Sequence, residues 1–273
     1  MNEPIITREL AERIEHYESE AHVTRALALQ SLRGNPLGVE VKRFGGATAF
    51  TIHGAPYQEV TRVFDLGPGD TDQIQAIRLW SKGQTRLVQI DISPFYYDDA
   101  CNEPMRTLAK NGFYQARFLT VLCGVPDSSP SPLPVGVSVR EFTQGEIDAF
   151  AQVVCDVQNV APADLPVWQA AHAAQFHDWC CYAAYVEGQP AAHGVMRIKD
   201  KVAMLMFAAT KTQFRGYGAQ TALLRQRIAN AAQAGCELVI CSSYPGTISQ
   251  RNQQRAGLRI AYTKALWMPF PTG

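Results

Sequence analysis

The chain has 273 residues, beyond the usual single-domain size, so two domains of ordinary size are expected. Lys+Arg and Asp+Glu are both 25, a zero net charge that gives no support for a nucleic-acid partner, and a 47% hydrophobic content argues against disorder. No apolar run reaches membrane-span length and Met1 to Pro4 opens no signal peptide; a cytoplasmic, membrane-free setting follows, with the seven cysteines as reduced, buried small hydrophobes.

Residues 7–32 read as one helix, with Leu10, Ile14, Tyr17 and Ala21 recurring every three or four positions. Glu9 and Arg13 add an i,i+4 pair in the favourable order. Strands are expected at 39–44, 47–52 and 59–66, with Gly45 and Gly46 between the first two and Gly54 to Pro56 before the third. Gly67 to Thr71 break the chain before a helix carrying Ile74, Ile77 and Trp80. A strand at 86–92, a short helix at 101–111 stopped by Gly112, and a strand at 114–122 complete the first half. Four prolines and three serines in the nine residues from Pro126 to Pro134 suit a semi-rigid, extended linker. The expected division is 1–125, a linker at 126–135, and 136–273.

The second half begins with a strand at 137–141 and a helix at 145–156 whose apolar face holds Ile147, Phe150, Val153 and Val154. A loop at 159–166 and a helix at 167–177 follow, then strands at 180–186 and 191–197 joined by a turn at Gly188 to Pro190. A strand at 202–209 leads to Arg215, Gly216, Tyr217 and Gly218, and a helix leads out from Ala219 to a stop at Gly235. A strand at 237–242, a helix at 249–256, a stop at Gly257 and a strand at 260–268 end the pattern. The halves echo one another: residues 109–113 parallel 254–258, which suggests duplication.

The stretch from Thr210 to Arg225 carries the chemistry. Glycine lets the backbone turn where other residues cannot, and the first amides of a helix lack internal partners at the positive end of its dipole. A strand, a glycine turn and a helix start therefore make a cradle for a phosphate-bearing ligand. The counterpart at Gly67 to Thr71 lacks the Arg-Gly-x-Gly core, and Pro68 removes one amide.

With these motifs, residues 137–269 resemble the GNAT superfamily of acyl-CoA-dependent N-acetyltransferases. The family signature, Arg/Gln-x-x-Gly-x-Gly/Ala, is matched by Arg215 to Gln220, with Gln in the last position. Ser249 to Leu258 match the Asn-containing helix and its glycine stop. The resemblance implies an α/β fold of two GNAT-like domains in tandem, each a mixed, mostly antiparallel sheet flanked by helices, the first having lost its cofactor motif. It implies acetyl-CoA as co-substrate, with no metal. Arg215, Gly216, Tyr217, Gly218, Ala219 and Gln220 would cradle the pyrophosphate. Ala208, Ala209 and Thr210 would pair with the pantetheine arm, and Ser249 and Asn252 would reach pantetheine or adenine.

The implied reaction is direct acyl transfer from thioester to amine, which requires a neutral amine, a polarised carbonyl and a protonated leaving thiolate. Many family members use a tyrosine as that acid; here Gln253 stands in its place. Tyr244 is the substitute acid by residue type, and His193 is a candidate base, although the amine could instead lose its proton through water. A small-molecule amine is favoured as acceptor because no charged docking face is evident. A non-catalytic acyl-CoA-binding or regulatory protein is the alternative. His172 and His177 are five apart and do not form an i,i+4 metal pair, and Met204 to Phe207 read as core.

Overall fold

The computed structural model describes residues 5–54, 61–84, 87–95, 102–129 and 132–270. Ala55, Pro56, Arg86 and Cys101, which belong to expected turns, strands and helices, lie outside the described residues.

The chain forms two compact units, one from residues 6–120 with 262–270 and the other from residues 121–261 with Ile5. Residues 262–270, which the sequence reading assigns to the second domain, thus group with the first unit. In that unit α1 (Arg8–Gln30) is capped by Thr7, whose hydroxyl accepts from the Leu10 amide at 3.2 Å. The strands β1 (Val39–Phe44), β2 (Ala47–Ile52) and β3 (Thr61–Phe64) form an antiparallel run. A 3₁₀ turn (Pro68–Gln73) and α2 (Ile74–Lys82) then carry the chain to β4 (Val88–Ile92), which pairs parallel with β3. Helix α3 (Asn102–Lys110) and strand β5 (Phe113–Gly124) follow. Ile74, Ile77, Val63, Ile90 and Phe113 share the core of this unit.

The second unit opens with β6 (Val137–Phe142), α4 (Ile147–Gln158) and α5 (Leu165–Gln175), the last two residues earlier than expected because Pro166 suits a first helical turn. Next come β7 (Cys180–Val186), β8 (Gln189–Lys199) and β9 (Val202–Thr210). Both connections are two-residue hairpins with positive φ at each residue, Glu187 and Gly188, then Asp200 and Lys201. Helix α6 (Ala219–Gln233) crosses to β10 (Leu238–Ser243), which lies parallel to β9. The strand order is β10-β9-β8-β7-β6. Helix α7 (Ile248–Arg255) and β11 (Arg259–Pro269) end the chain, and β11 pairs antiparallel with β4 through Ala265, Leu266 and Trp267.

The two units repeat one device, a parallel strand pair bridged by a helix. The echo seen in the sequence therefore corresponds to a shared α/β arrangement of mixed sheet and helices.

Residues 262–264 bring polar chemistry into the first unit. The Lys264 ammonium, fully buried, sits 2.7 Å from Glu18, 3.2 Å from Glu15 and 3.4 Å from Asp91. Burial works against its charge, but the three carboxylates outweigh burial and raise its pKa above the ordinary lysine value. Burial pushes Glu15 up, with Lys264 opposing. The Tyr262 hydroxyl donates to Glu15 at 2.6 Å, and Arg62 pairs with Asp91.

Candidate functional site

The site begins where β9 and β10 stop pairing. Their register runs from Val202 opposite Leu238 to Leu205 opposite Cys241, and β9 then continues alone to Thr210. On its other edge β9 carries an extra residue: His193 faces Ala209 and Val195 faces Met206, so Phe207 and Ala208 together oppose Gly194. This β-bulge turns β9 away from β10. Phe207 has φ +45°, a left-handed conformation that a bulky residue holds only when its surroundings impose it. Those surroundings are aromatic, since Phe207 packs against Phe176 and Trp179 with ring centroids 5.8 Å apart in each case.

The parted strands enclose a cleft of about 260 Å³. Phe207 and Ala208 line it from β9 and Ser242 from β10, while α6 contributes Gln220 and Arg227. Ser249, Asn252 and Gln253 close it from α7. The sequence reading named Ala208, Gln220, Ser249 and Asn252 among these.

The glycine turn stands at one end. Gly216 and Gly218 have φ +89° and +85°, so both need the left-handed region, and Gly218 caps α6. Arg215 is extended and ends a 3₁₀ turn (Thr212–Phe214). The first helical bond into this region runs from the Ala222 amide to the Gly218 carbonyl. Among the described residues, no protein acceptor meets the amides of Gly216, Tyr217, Gly218, Ala219 or Gln220. These unpaired donors at the positive end of a helix fit a phosphate-bearing ligand. Thr210 and Gln220 are linked through their side chains at 3.2 Å. Pro134, at the end of the Pro/Ser-rich stretch, packs so close to Gly218 that a Cβ there would lie 2.6 Å from its Cγ.

The first unit handles its equivalent turn differently. The Asp70 carboxylate accepts from the amides of Gly46 at 2.6 Å and Gly67 at 3.2 Å. An internal carboxylate thus sits at this turn, bonded to the Gly67 amide and to Gly46 between β1 and β2.

His193 lies on β8, 1% exposed, with its Nε2 3.2 Å from Gln158 Nε2 and its Nδ1 without a partner. Burial, reinforced by Arg227, lowers its pKa to about 3, so the ring is neutral. Tyr244 follows β10 and is 40% exposed. Neither is among the residues that line the cleft. Gln253 is, and its polar atoms are used: Ser243 donates to its Oε1 at 2.7 Å and its Nε2 donates to Ser249 at 3.4 Å. Burial drives the thiols of Cys155, to about 11, and of Cys180 and Cys181 upward, which leaves them protonated.

The sequence reading missed Arg227. It stands four residues after Leu223 and four before Ala231, both fully buried, so the helical period already places it on the inward stripe.

Residues 154–257 match the family model described as Acetyltransferase (GNAT) family. Over these residues the chain is similar to the GNAT acetyltransferases. The match includes the cleft, the glycine turn and α7, and leaves the first unit outside. No curated protein matches the chain. Among solved structures, a tandem GNAT protein from the clavulanic acid biosynthesis pathway aligns over 92% of this chain and 89% of its own, with TM-score 0.63 and 16% identity. A GCN5-related N-acetyltransferase from Kribbella flavida aligns over 92% and 96%, with TM-score 0.56 and 16% identity. Another from Sphaerobacter thermophilus aligns over 82% and 80%, with TM-score 0.56 and 17% identity. At these identities the likeness is one of fold. The match of residues 154–257 and the shared fold both point toward acetyltransferases.

Proposed function

We propose that the protein is an acyl-CoA-dependent N-acyltransferase acting on the amine of a small molecule, with its site in the 121–261 unit. The observation that carries this reading is the cleft between β9 and β10, with five unpaired amides in the glycine turn and the start of α6 beside it. Arg215 and the amides from Gly216 to Gln220 would hold the diphosphate, and the unpaired edge from Ala208 to Thr210 would receive the pantetheine amides. Ser249 and Asn252 would contact the arm from the α7 side.

In the transfer, the amine lone pair forms a C–N bond to the thioester carbonyl, the C–S bond breaks, and the thiolate takes up a proton. Tyr244 is the proposed proton donor. The burial of His193 and its lowered pKa favour loss of the amine proton through water, with the imidazole as the other candidate base. The alternative, a non-catalytic acyl-CoA binder, draws support from Gln253, whose amide is engaged by Ser243 and Ser249 and has no acidic proton to give.

Calorimetry with coenzyme A tests both readings, and absence of binding would sink both. Thiol release across a panel of amines separates them, because sustained turnover with any amine excludes the pure binder. Tyr244→Phe is expected to slow thiol release by roughly a hundredfold or more with coenzyme A affinity unchanged. Full activity in that variant would remove Tyr244 from the role.

A further inference from the structure

Arg227 is a cation buried without an anion. Its residue is 2% exposed, and it lines the cleft from α6. Nε donates to the Leu223 carbonyl at 3.2 Å and Nη1 to the Val195 carbonyl at 3.0 Å, while Nη2 has no hydrogen-bond partner. Among the described residues no carboxylate forms an ion pair with it. Burial, opposed by Cys241 and Tyr182, brings the guanidinium's pKa down to about 10, still well above neutral. The fold makes room for it: a Cβ on Gly194 would stand 2.8 Å from its Cζ and Nη1. Gly194 is also the residue that the β9 bulge opposes, so the bulge and the guanidinium share one level of the sheet.

Position decides what it can meet. Arg227 lies eight residues beyond the first residue of α6, about 12 Å along the helix axis from the cradle. That is too far for the diphosphate held at the helix start. It matches the level where β9 leaves β10, the end of the cleft to which an extended arm brings its thioester. An acetyl methyl group there would leave a desolvated cation facing an apolar group. A carboxylate at the end of the acyl chain would pair with it through charge-assisted, potentially bidentate hydrogen bonds.

The geometry points to a dicarboxylic acyl donor: Arg227 is a specificity-determining residue that selects coenzyme A monothioesters whose acyl chain ends in a carboxylate. This rests on the N-acyltransferase reading above and names its donor. The transfer chemistry is unaltered, since the distal carboxylate takes no part in the bond exchange.

The test is calorimetric binding of coenzyme A, acetyl-CoA, butyryl-CoA and succinyl-CoA to the full chain. Butyryl and succinyl chains have the same length and differ in a terminal methyl against a carboxylate. Succinyl-CoA is expected to bind at least about tenfold more tightly than butyryl-CoA and acetyl-CoA. Arg227→Met is expected to abolish that preference and leave coenzyme A itself binding as before. Equal or weaker binding of succinyl-CoA by the unsubstituted protein overturns the inference even if Arg227→Met fails to fold, and leaves the coenzyme A site standing. A preference that survives in Arg227→Met also overturns it. Binding of none of the four overturns this inference and the N-acyltransferase reading together.

Discussion

At His193 a neutral imidazole is maintained by burial, with Arg227 adding repulsion against protonation. Its pKa in the folded chain, about 3, lies below the ordinary histidine value of 6.5, so the unfolded chain binds more protons between these values. The stability that His193 contributes is complete above about pH 6.5 and is lost as pH falls toward about 3. The slope reaches about 1.4 kcal/mol per pH unit for one group. His22 is lowered well below its usual value by burial and by Arg62, and it acts with the same sign in the first unit. Urea unfolding at about pH 7 and pH 5 should show the loss, and His193→Asn should flatten it. An unchanged acid limb in that variant would mean that the ring is not held neutral. From the sequence, His193 reads as a possible base because a strand histidine near the motif has the right chemistry; nothing in the residue string announces that Gln158 and Phe150 cover it.

The glycine turn and α6 form the element on which ligand binding depends. Gly218 combines φ +85° with the close approach of Pro134, so Gly218→Ala meets both a left-handed penalty of about 1–2 kcal/mol and a steric one. The expected result is coenzyme A affinity reduced about tenfold or more by calorimetry, with far-UV dichroism retained. Unchanged affinity would show that the cradle does not depend on this backbone. This element was legible because glycine spacing, the preceding strand and the helix start are local features. The turn at Gly67 to Asp70 was legible as defective, but the reason was not. That Asp70 reaches the Gly46 amide involves residues 24 apart and a carboxylate orientation that only folding creates. The bulge at Phe207 and Ala208 was equally hidden, since it arises from a register mismatch between two strands.

For the molecule as a whole, the order of elements was readable and their ownership was not. The Pro/Ser-rich stretch suggested a boundary at 126–135, whereas the units divide between residues 120 and 121 and β11 returns residues 262–270 to the first unit, because pairing with β4 and the needs of Glu15, Glu18 and Asp91 are non-local. Lys264→Met should therefore destabilise the first unit by about 3–5 kcal/mol in urea unfolding, since it takes their cation from buried Glu18 and partly buried Glu15. A loss under about 1 kcal/mol would show those carboxyls to be adequately neutralised by other means. The same strand sets a timetable at the ribosome. Residues 6–120 emerge early, but β4 must wait for its antiparallel partner, and Glu15, Glu18 and Asp91 for their ammonium, until residues 262–269 have been made. At ordinary elongation rates that delay is on the order of ten seconds, long enough for the second unit to fold while the first still has an open strand edge and unneutralised acids. The half synthesised first is the half completed last, and the nascent chain is most exposed to aggregation or chaperone capture through the part that the GNAT match does not cover.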